Sequence, residues 1–205
     1  MQSLKNNRKL FFSAFIIFPF LYFDKAVVTW IKNFDPALWM YHLDQACNPM
    51  IKFFSHGSTL IVFSLLICLF GRRYSQRIYD AGKFLFIGLI STGLVVQALK
   101  HIVGRARPRI TFDPVFIGPS IKSGYDSFPS GHTALAFCLA FVLSRYFPRY
   151  RILFYLFAVI VGWDRLDGLS HFPSDIIAGA VIGTIVAKVL AIEIFRSEYP
   201  VSQAT

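Results

Sequence analysis

Three short segments of the chain carry residue types that could handle a phosphoryl group. Lys100, Arg107 and Pro108 form the first, Pro129, Ser130, Gly131 and His132 the second, and Asp164, Arg165, His171 and Asp175 the third. A phosphoryl group spreads negative charge over its equatorial oxygens during transfer, so the protein's task is mostly positioning and stabilisation by donors set in advance. Arginine offers a planar two-pronged donor and lysine a compact point charge, and Lys100, Arg107 and Arg165 fit those tasks. Ser130 is a favoured helix N-cap and Gly131 lets backbone come close to an anion, so the first-turn amides of a helix opening there would point at bound phosphate. His171 and Asp175 stand four apart, on one face of a helical turn. A carboxylate accepting from one ring nitrogen would fix the tautomer and leave the other nitrogen free to attack phosphorus, which makes His171 the expected nucleophile. His132 is then available to protonate the leaving group and afterwards to deprotonate water. A helix N-terminus disfavours the imidazolium form, so His132 needs a compensating acid, and Asp126 is nearby in the chain. Each segment alone has a plainer reading. Ser-Gly before a helix is often only a cap, and His171 beside Pro173, Ser174 and Asp175 could belong to a capping network. Their order, spacing and shared face favour the chemistry.

The elements that must position these residues are apolar. Of 205 residues, 55% are hydrophobic, and the mean hydropathy of +0.54 is too high for an ordinary soluble domain. Six candidate membrane spans stand out, at roughly 10–30, 52–70, 83–103, 131–147, 151–164 and 175–195. Backbone amides in a bilayer must be paired within their own element, and these runs lack the alternation of barrel strands, so the expected fold is all-α. The reading is a polytopic membrane protein with about six transmembrane helices and the motifs at the outer ends of the third, fourth and sixth. It forms a single domain over 1–205 with a motif core at 100–175. Pro108 biases Arg107 away from helical geometry and so predicts that the chain turns off the third span there.

The net charge of +10 sits in short clusters between apolar runs, a pattern of membrane topology plus an anion site and not of nucleic-acid binding. With Lys5, Arg8 and Lys9 cytoplasmic, six crossings bring Arg72, Arg73, Arg77, Lys83, Arg145, Arg149, Arg151 and Arg196 to the same side. The opposite side receives 31–51, 104–130 and 165–174. The middle segment holds Arg105, Arg107, Arg109 and Lys122 against the usual bias, and phosphate binding would account for it. Leu10 to Phe23 reads as a retained anchor, since Asp24 and Lys25 follow it without a small-residue cleavage site. Trp30, Trp39 and Tyr41 around Pro36 suit an interfacial anchor. Cys47, Cys68 and Cys138 have no paired spacing, so neither a disulfide framework nor a zinc site is expected.

At the motif residues the chain resembles the type 2 phosphatidic acid phosphatase superfamily, which also includes vanadium haloperoxidases and bacterial acid phosphatases. The family pattern is Lys, six residues, Arg-Pro; then Pro-Ser-Gly-His; then Ser-Arg, five residues, His, three residues, Asp. Lys100 to Pro108, Pro129 to His132, and Asp164 to Asp175 match it, except that Asp164 stands where the family has serine. The resemblance implies that Lys100, Arg107, Ser130, Gly131 and Arg165 bind phosphate, that His171 is the nucleophile and His132 the acid, and that Asp175 orients the nucleophile. A carboxylate facing phosphate would repel it, so Asp164 either points away, pairing with a nearby arginine, or alters substrate preference. His42, His56 and His101 match no motif position and are read as structural.

The expected function is therefore hydrolysis of a phosphate monoester or diphosphate on a membrane lipid through a phosphohistidine, with no metal and no cofactor. Undecaprenyl diphosphate, phosphatidylglycerol phosphate, phosphatidic acid and lipid A phosphates are the candidate lipids, and 109–128 is the segment expected to hold much of the specificity. A lipid phosphotransferase sharing the phosphohistidine is the alternative. A membrane anion transporter or scaffold is a remoter one, disfavoured because the ionisable residues gather at one end of the spans. The expected partners are a phosphorylated lipid and the bilayer, in a bacterial plasma membrane with the site facing outward and both termini cytoplasmic. Oligomeric state is left open.

Overall fold

The structure is a computed structural model that describes residues 23–33 and 49–198. Most of the first expected span, together with Trp39, Tyr41, His42, Cys47 and the N-terminal lysines, lies outside the described residues. The described elements are helical: α1 over 23–33, α2 over 49–55, α3 Gly57–Tyr74, α4 Gln76–Val103, α5 Gly131–Tyr146, α6 Arg151–Asp167 and α7 Pro173–Glu198. Among the described residues there is no strand, only one isolated bridge between Arg105 and Phe116. Helices α3, α4 and the 173–193 portion of α7 are long and apolar enough to cross a membrane. At 16 and 17 residues, α5 and α6 run about 24–26 Å at about 1.5 Å per residue.

The helices pack through two core clusters of different character, one of large and one of mostly small residues. One core cluster joins Leu60 of α3, Phe84, Leu85 and Leu89 of α4, Cys138, Leu139 and Val142 of α5, and Ala187 and Ala191 of α7. A second holds only Ala136, Ala140, Ala158 and Val161, between α5 and α6. Phe63, Leu66, Leu69 and Phe70 of α3 and Ile152, Leu156 and Trp163 of α6 point outward instead, a face suited to lipid.

Helices α5 and α7 approach each other closely. Gly179 and Gly183 are four apart, and a methyl group on Gly179 would stand 2.5 Å from the Ser130 carbonyl oxygen, while one on Gly183 would collide with the Ala134 carbonyl. Only glycine permits that approach, and it sets the first turns of the two helices side by side.

One turn and one helix boundary differ from the sequence expectation. Helix α4 stops at Val103, where Gly104 adopts a left-handed C-cap (φ 57°) and donates to the Lys100 carbonyl at 3.0 Å. The turn is thus made by glycine before Arg107 is reached, not at Pro108. Arg165 stands in the last turn of α6, not in the connecting loop. The end of the bundle opposite the motifs carries Arg72, Arg73, Arg77, Arg145, Arg149 and Arg151, and Arg77 caps the end of α5 through the Tyr146 carbonyl while stacking over Phe147.

Candidate active site

The loop between α4 and α5 folds back over the helix ends through backbone pairs. Ile117 donates to the Gly104 carbonyl at 3.0 Å, Arg107 to Gly124 at 2.9 Å, and Ser127 to Arg105 at 3.0 Å. These ties bring Arg107 into one cavity of about 230 Å³ with Lys100 of α4, Gly131, His132 and Leu135 of α5, Arg165 of α6, and Ser170 and His171 of the next loop.

Both arginines are already engaged by acids. Arg107 holds Asp126 in a bidentate clasp, Nε to Oδ1 at 2.9 Å and an Nη to Oδ2 at 2.6 Å. Lys100 donates to the Asp126 carbonyl and stands 4.0 Å from its carboxylate. Burial alone would raise the Asp126 pKa, but the hydrogen bonds and charge of Arg107, with Lys100 behind them, hold it below the ordinary carboxylate value. Asp126 is therefore committed to the cations, and among its described contacts none reaches His132, whose ring instead faces His56 at 6.1 Å between centroids. Asp164 turns to its neighbour and accepts from Arg165 Nε at 2.6 Å and from an Nη. Of the two courses open to Asp164, pairing with an adjacent arginine is the one observed.

His171 is almost fully buried, with 3% of its side chain exposed. Its Nδ1 lies 2.7 Å from the Ser127 carbonyl and 3.7 Å from Asp175 Oδ2. The carbonyl, not the carboxylate, is therefore the direct acceptor. A carbonyl can only accept, so Nδ1 carries the proton and Nε2 keeps its lone pair. Asp175 acts one step back. Its Oδ2 accepts from the Ser127 hydroxyl at 2.6 Å and the Phe172 N–H at 2.8 Å, and its Oδ1 from Arg105 at 2.5 Å. Burial pushes the His171 pKa below the ordinary histidine value, Asp175 opposes that, and the charges of Lys100 and Arg107 reinforce it. On balance the surroundings favour the neutral imidazole.

Ser130 and Asp175 stand behind the cavity, both fully buried. The Ser130 N–H is spent on the Asp175 carbonyl at 3.0 Å and its hydroxyl pairs with Thr133 at 2.9 Å. Its contribution is to lock α5 against α7. The amides of Gly131 and His132, in the first turn of α5, have no intrahelical acceptor and remain the donors that could meet phosphate. Ser127, Asp126 and Arg105 were not singled out as site residues from sequence. A basic or acidic residue within a few positions of a motif was the available signal, but spacing did not separate Arg105, which turns inward, from Arg107, which faces the cavity.

This arrangement of helices and cations has known counterparts. The model of the PAP2 superfamily matches residues 81–198, more than half of the chain, and the chain belongs to that superfamily. Among curated relatives, a protein of Rhizobium johnstonii named lipid A 1-phosphatase is 39% identical over 132 residues, covering 61% of this chain and 53% of the relative. One of the same name from Rhizobium etli is 36% identical over 147 residues, with 63% and 62% covered. The chain thus spans between about half and three-fifths of the length of these two. Among solved structures, a transmembrane PAP2-type phosphatidylglycerolphosphate phosphatase from Bacillus subtilis superposes with a TM-score of 0.63 at 21% identity, over 89% of this chain and 87% of that one. The last likeness is one of fold.

Proposed function

We propose that this chain is a membrane lipid phosphatase that removes a phosphate monoester or diphosphate through a phosphohistidine on His171, without a metal. The observation that carries the reading is one cavity shared by three cations and two histidines, one of them buried, neutral and tautomerically fixed. Phosphate entering it would exchange the Asp126 and Asp164 carboxylates for its own oxygens on Arg107 and Arg165. The Nε2 lone pair of His171 forms a bond to phosphorus, the bond from phosphorus to the lipid oxygen breaks, and His132 gives that oxygen a proton. His132 then takes a proton from water, whose oxygen displaces the imidazole and releases phosphate. The bound phosphate is itself the anion beside His132 that the sequence left unidentified.

A lipid as the carrier of that phosphate is supported by position. Gly57 and Leu135 line the polar cavity, and a few residues further along the same helices Leu60 and Leu139 line an apolar groove of about 670 Å³ with Phe63, Phe154 and Phe157. Headgroup and hydrocarbon would thus meet adjoining walls. The names of the two Rhizobium relatives put lipid A phosphates first among the candidates. The cluster of arginines at the opposite end of the bundle favours that end as cytoplasmic and the site as outward-facing.

The test is phosphate release by the purified protein from a panel of lipid A phosphates, phosphatidic acid, phosphatidylglycerol phosphate and undecaprenyl diphosphate. Turnover of at least one, abolished in His171→Ala and inhibited by vanadate, is the expected result. Full turnover by His171→Ala would overturn the assignment.

A further inference from the structure

Behind Asp175 lies a second acid that no motif contains. Asp24 of α1 and Arg105 are both completely buried, and Arg105 Nη2 donates to Asp24 Oδ2 at 2.6 Å while Nη1 donates to Asp175 Oδ1 at 2.5 Å. The Ser174 N–H donates to Asp24 Oδ1 at 3.0 Å, and the Ser174 hydroxyl lies between Arg105 at 2.6 Å and Asp24 Oδ2 at 2.5 Å. The Phe172 ring stacks on the guanidinium, 4.1 Å from centroid to carbon. An arginine fully desolvated in this way is tolerated only because both ends of its fork are met by carboxylates.

The charges in this group do not cancel. One guanidinium lies between two carboxylates, which leaves one net negative charge packed behind a neutral His171. When His171 Nε2 bonds to phosphorus with Nδ1 still protonated, the ring becomes a cation on a side chain only 3% exposed. Without Asp24, Arg105 would neutralise Asp175 completely, and on the side of the ring away from the phosphoryl group no net negative charge would face the new cation.

We infer that Asp24 is a positioning residue for phosphoryl transfer, holding Arg105 between itself and Asp175 so that one uncompensated negative charge remains beside the imidazolium formed on His171. This rests on His171 being the nucleophile. The contact also fixes α1 to the first turn of α7, and a purely structural anchor would do no more than that, so the two roles need a readout that separates them.

The experiment uses the full chain in detergent micelles with whichever lipid phosphate the wild type hydrolyses, comparing Asp24→Asn, Asp24→Glu and His171→Ala. Asp24→Asn is expected to lower kcat by at least about tenfold with KM within about twofold. Its kcat should also lose activity at lower pH than the wild type, because removing a negative charge makes protonation of His171 harder. The other groups facing His171, namely Lys100 from α4, Arg107 from the loop, His132 from α5, Arg165 from α6 and Asp175 from α7, are unchanged in the variant. Asp24→Glu should recover most of kcat and the wild-type acid limb. A wild-type kcat in Asp24→Asn, or a loss of kcat explained by unfolded protein with the acid limb unmoved, would overturn the inference. Should Asp24→Asn not fold, Asp24→Ser, which keeps a hydroxyl for Arg105 and Ser174 but no charge, decides: an acid limb moved to lower pH supports the inference and an unmoved one overturns it. Turnover by His171→Ala would instead remove the nucleophile reading on which it rests.

Discussion

In the cavity, Arg107 clasps Asp126 with side chains 18% and 40% exposed; directly behind it, Arg105 is locked between Asp24 and Asp175 with all three at 0%. The two arginines are separated by a single residue and make similar pairs, yet solvent gives the pairs opposite consequences. A half-exposed pair is weak, screened and replaceable, so an incoming phosphate can take the carboxylate's place on the fork. A buried pair has no alternative partner, and removing one side strands a charge. The cavity is thus built to exchange anions, and the layer behind it to hold charge still.

Stability offers the widest separation between the two regions. Arg105→Ala, which abandons two buried carboxylates, is expected to cost about 3–5 kcal/mol, whereas Arg107→Ala should cost about 0–1 kcal/mol. Thermal unfolding in detergent compares them, and equal losses would erase the distinction. Activity should rank the cavity differently. Arg165→Ala is expected to lower kcat about 10²-fold or more, the scale of a lost transition-state donor, and to lower the melting temperature as well, because Asp164, only 6% exposed, would lose its partner. A smaller effect comes from freeing the clasp: Asp126→Asn should bind vanadate a few-fold more tightly by isothermal titration, while Asp24→Asn leaves vanadate affinity unchanged.

The pH profile sharpens the same contrast. Because His171 titrates below the ordinary histidine value, the acid limb of kcat/KM should lie below about pH 6.5. A limb at or above that value would mean that the imidazole is not held neutral by its surroundings. For Asp126 the folded pKa is depressed, so the contribution of its clasp to stability is present above the unfolded value and fades as pH falls through the lower, folded one. The smallest expected effect is none: EDTA should leave turnover unchanged, and a strict need for a divalent cation would contradict a centre made of cations and imidazoles.

Much of this was legible in the sequence because membrane helices advertise themselves and because the phosphate motifs are local. Apolar runs located α5, α6 and α7 to within about three residues, while α4 begins seven residues before its expected span and the second expected span covers parts of both α2 and α3; the Lys100, Arg107, His132, Arg165 and His171 spacing identified residues that share one cavity. The misses are non-local or depend on direction. Asp24 and Arg105 are 81 positions apart, and no spacing rule joins them, although an aspartate ending an apolar run was itself a signal of function. The backbone carbonyl of Ser127 has no side-chain signature, so Asp175 was expected to contact His171 directly. The third span was expected to end at 103, where α4 does end, but the turn was attributed to Pro108 when Gly104, four residues earlier, was the stronger stop. Gly179 and Gly183 carried a readable packing signal for the α5–α7 contact that seats the site.

The covalent step is the part of the account most open to direct observation. Rapid acid-free quenching of the enzyme with a lipid substrate labelled on its phosphate, followed by peptide mapping, should find an acid-labile, alkali-stable label on His171 that is absent from His171→Ala. Label on any other residue, or turnover at full rate with no phosphoenzyme and inversion at phosphorus, would contradict it.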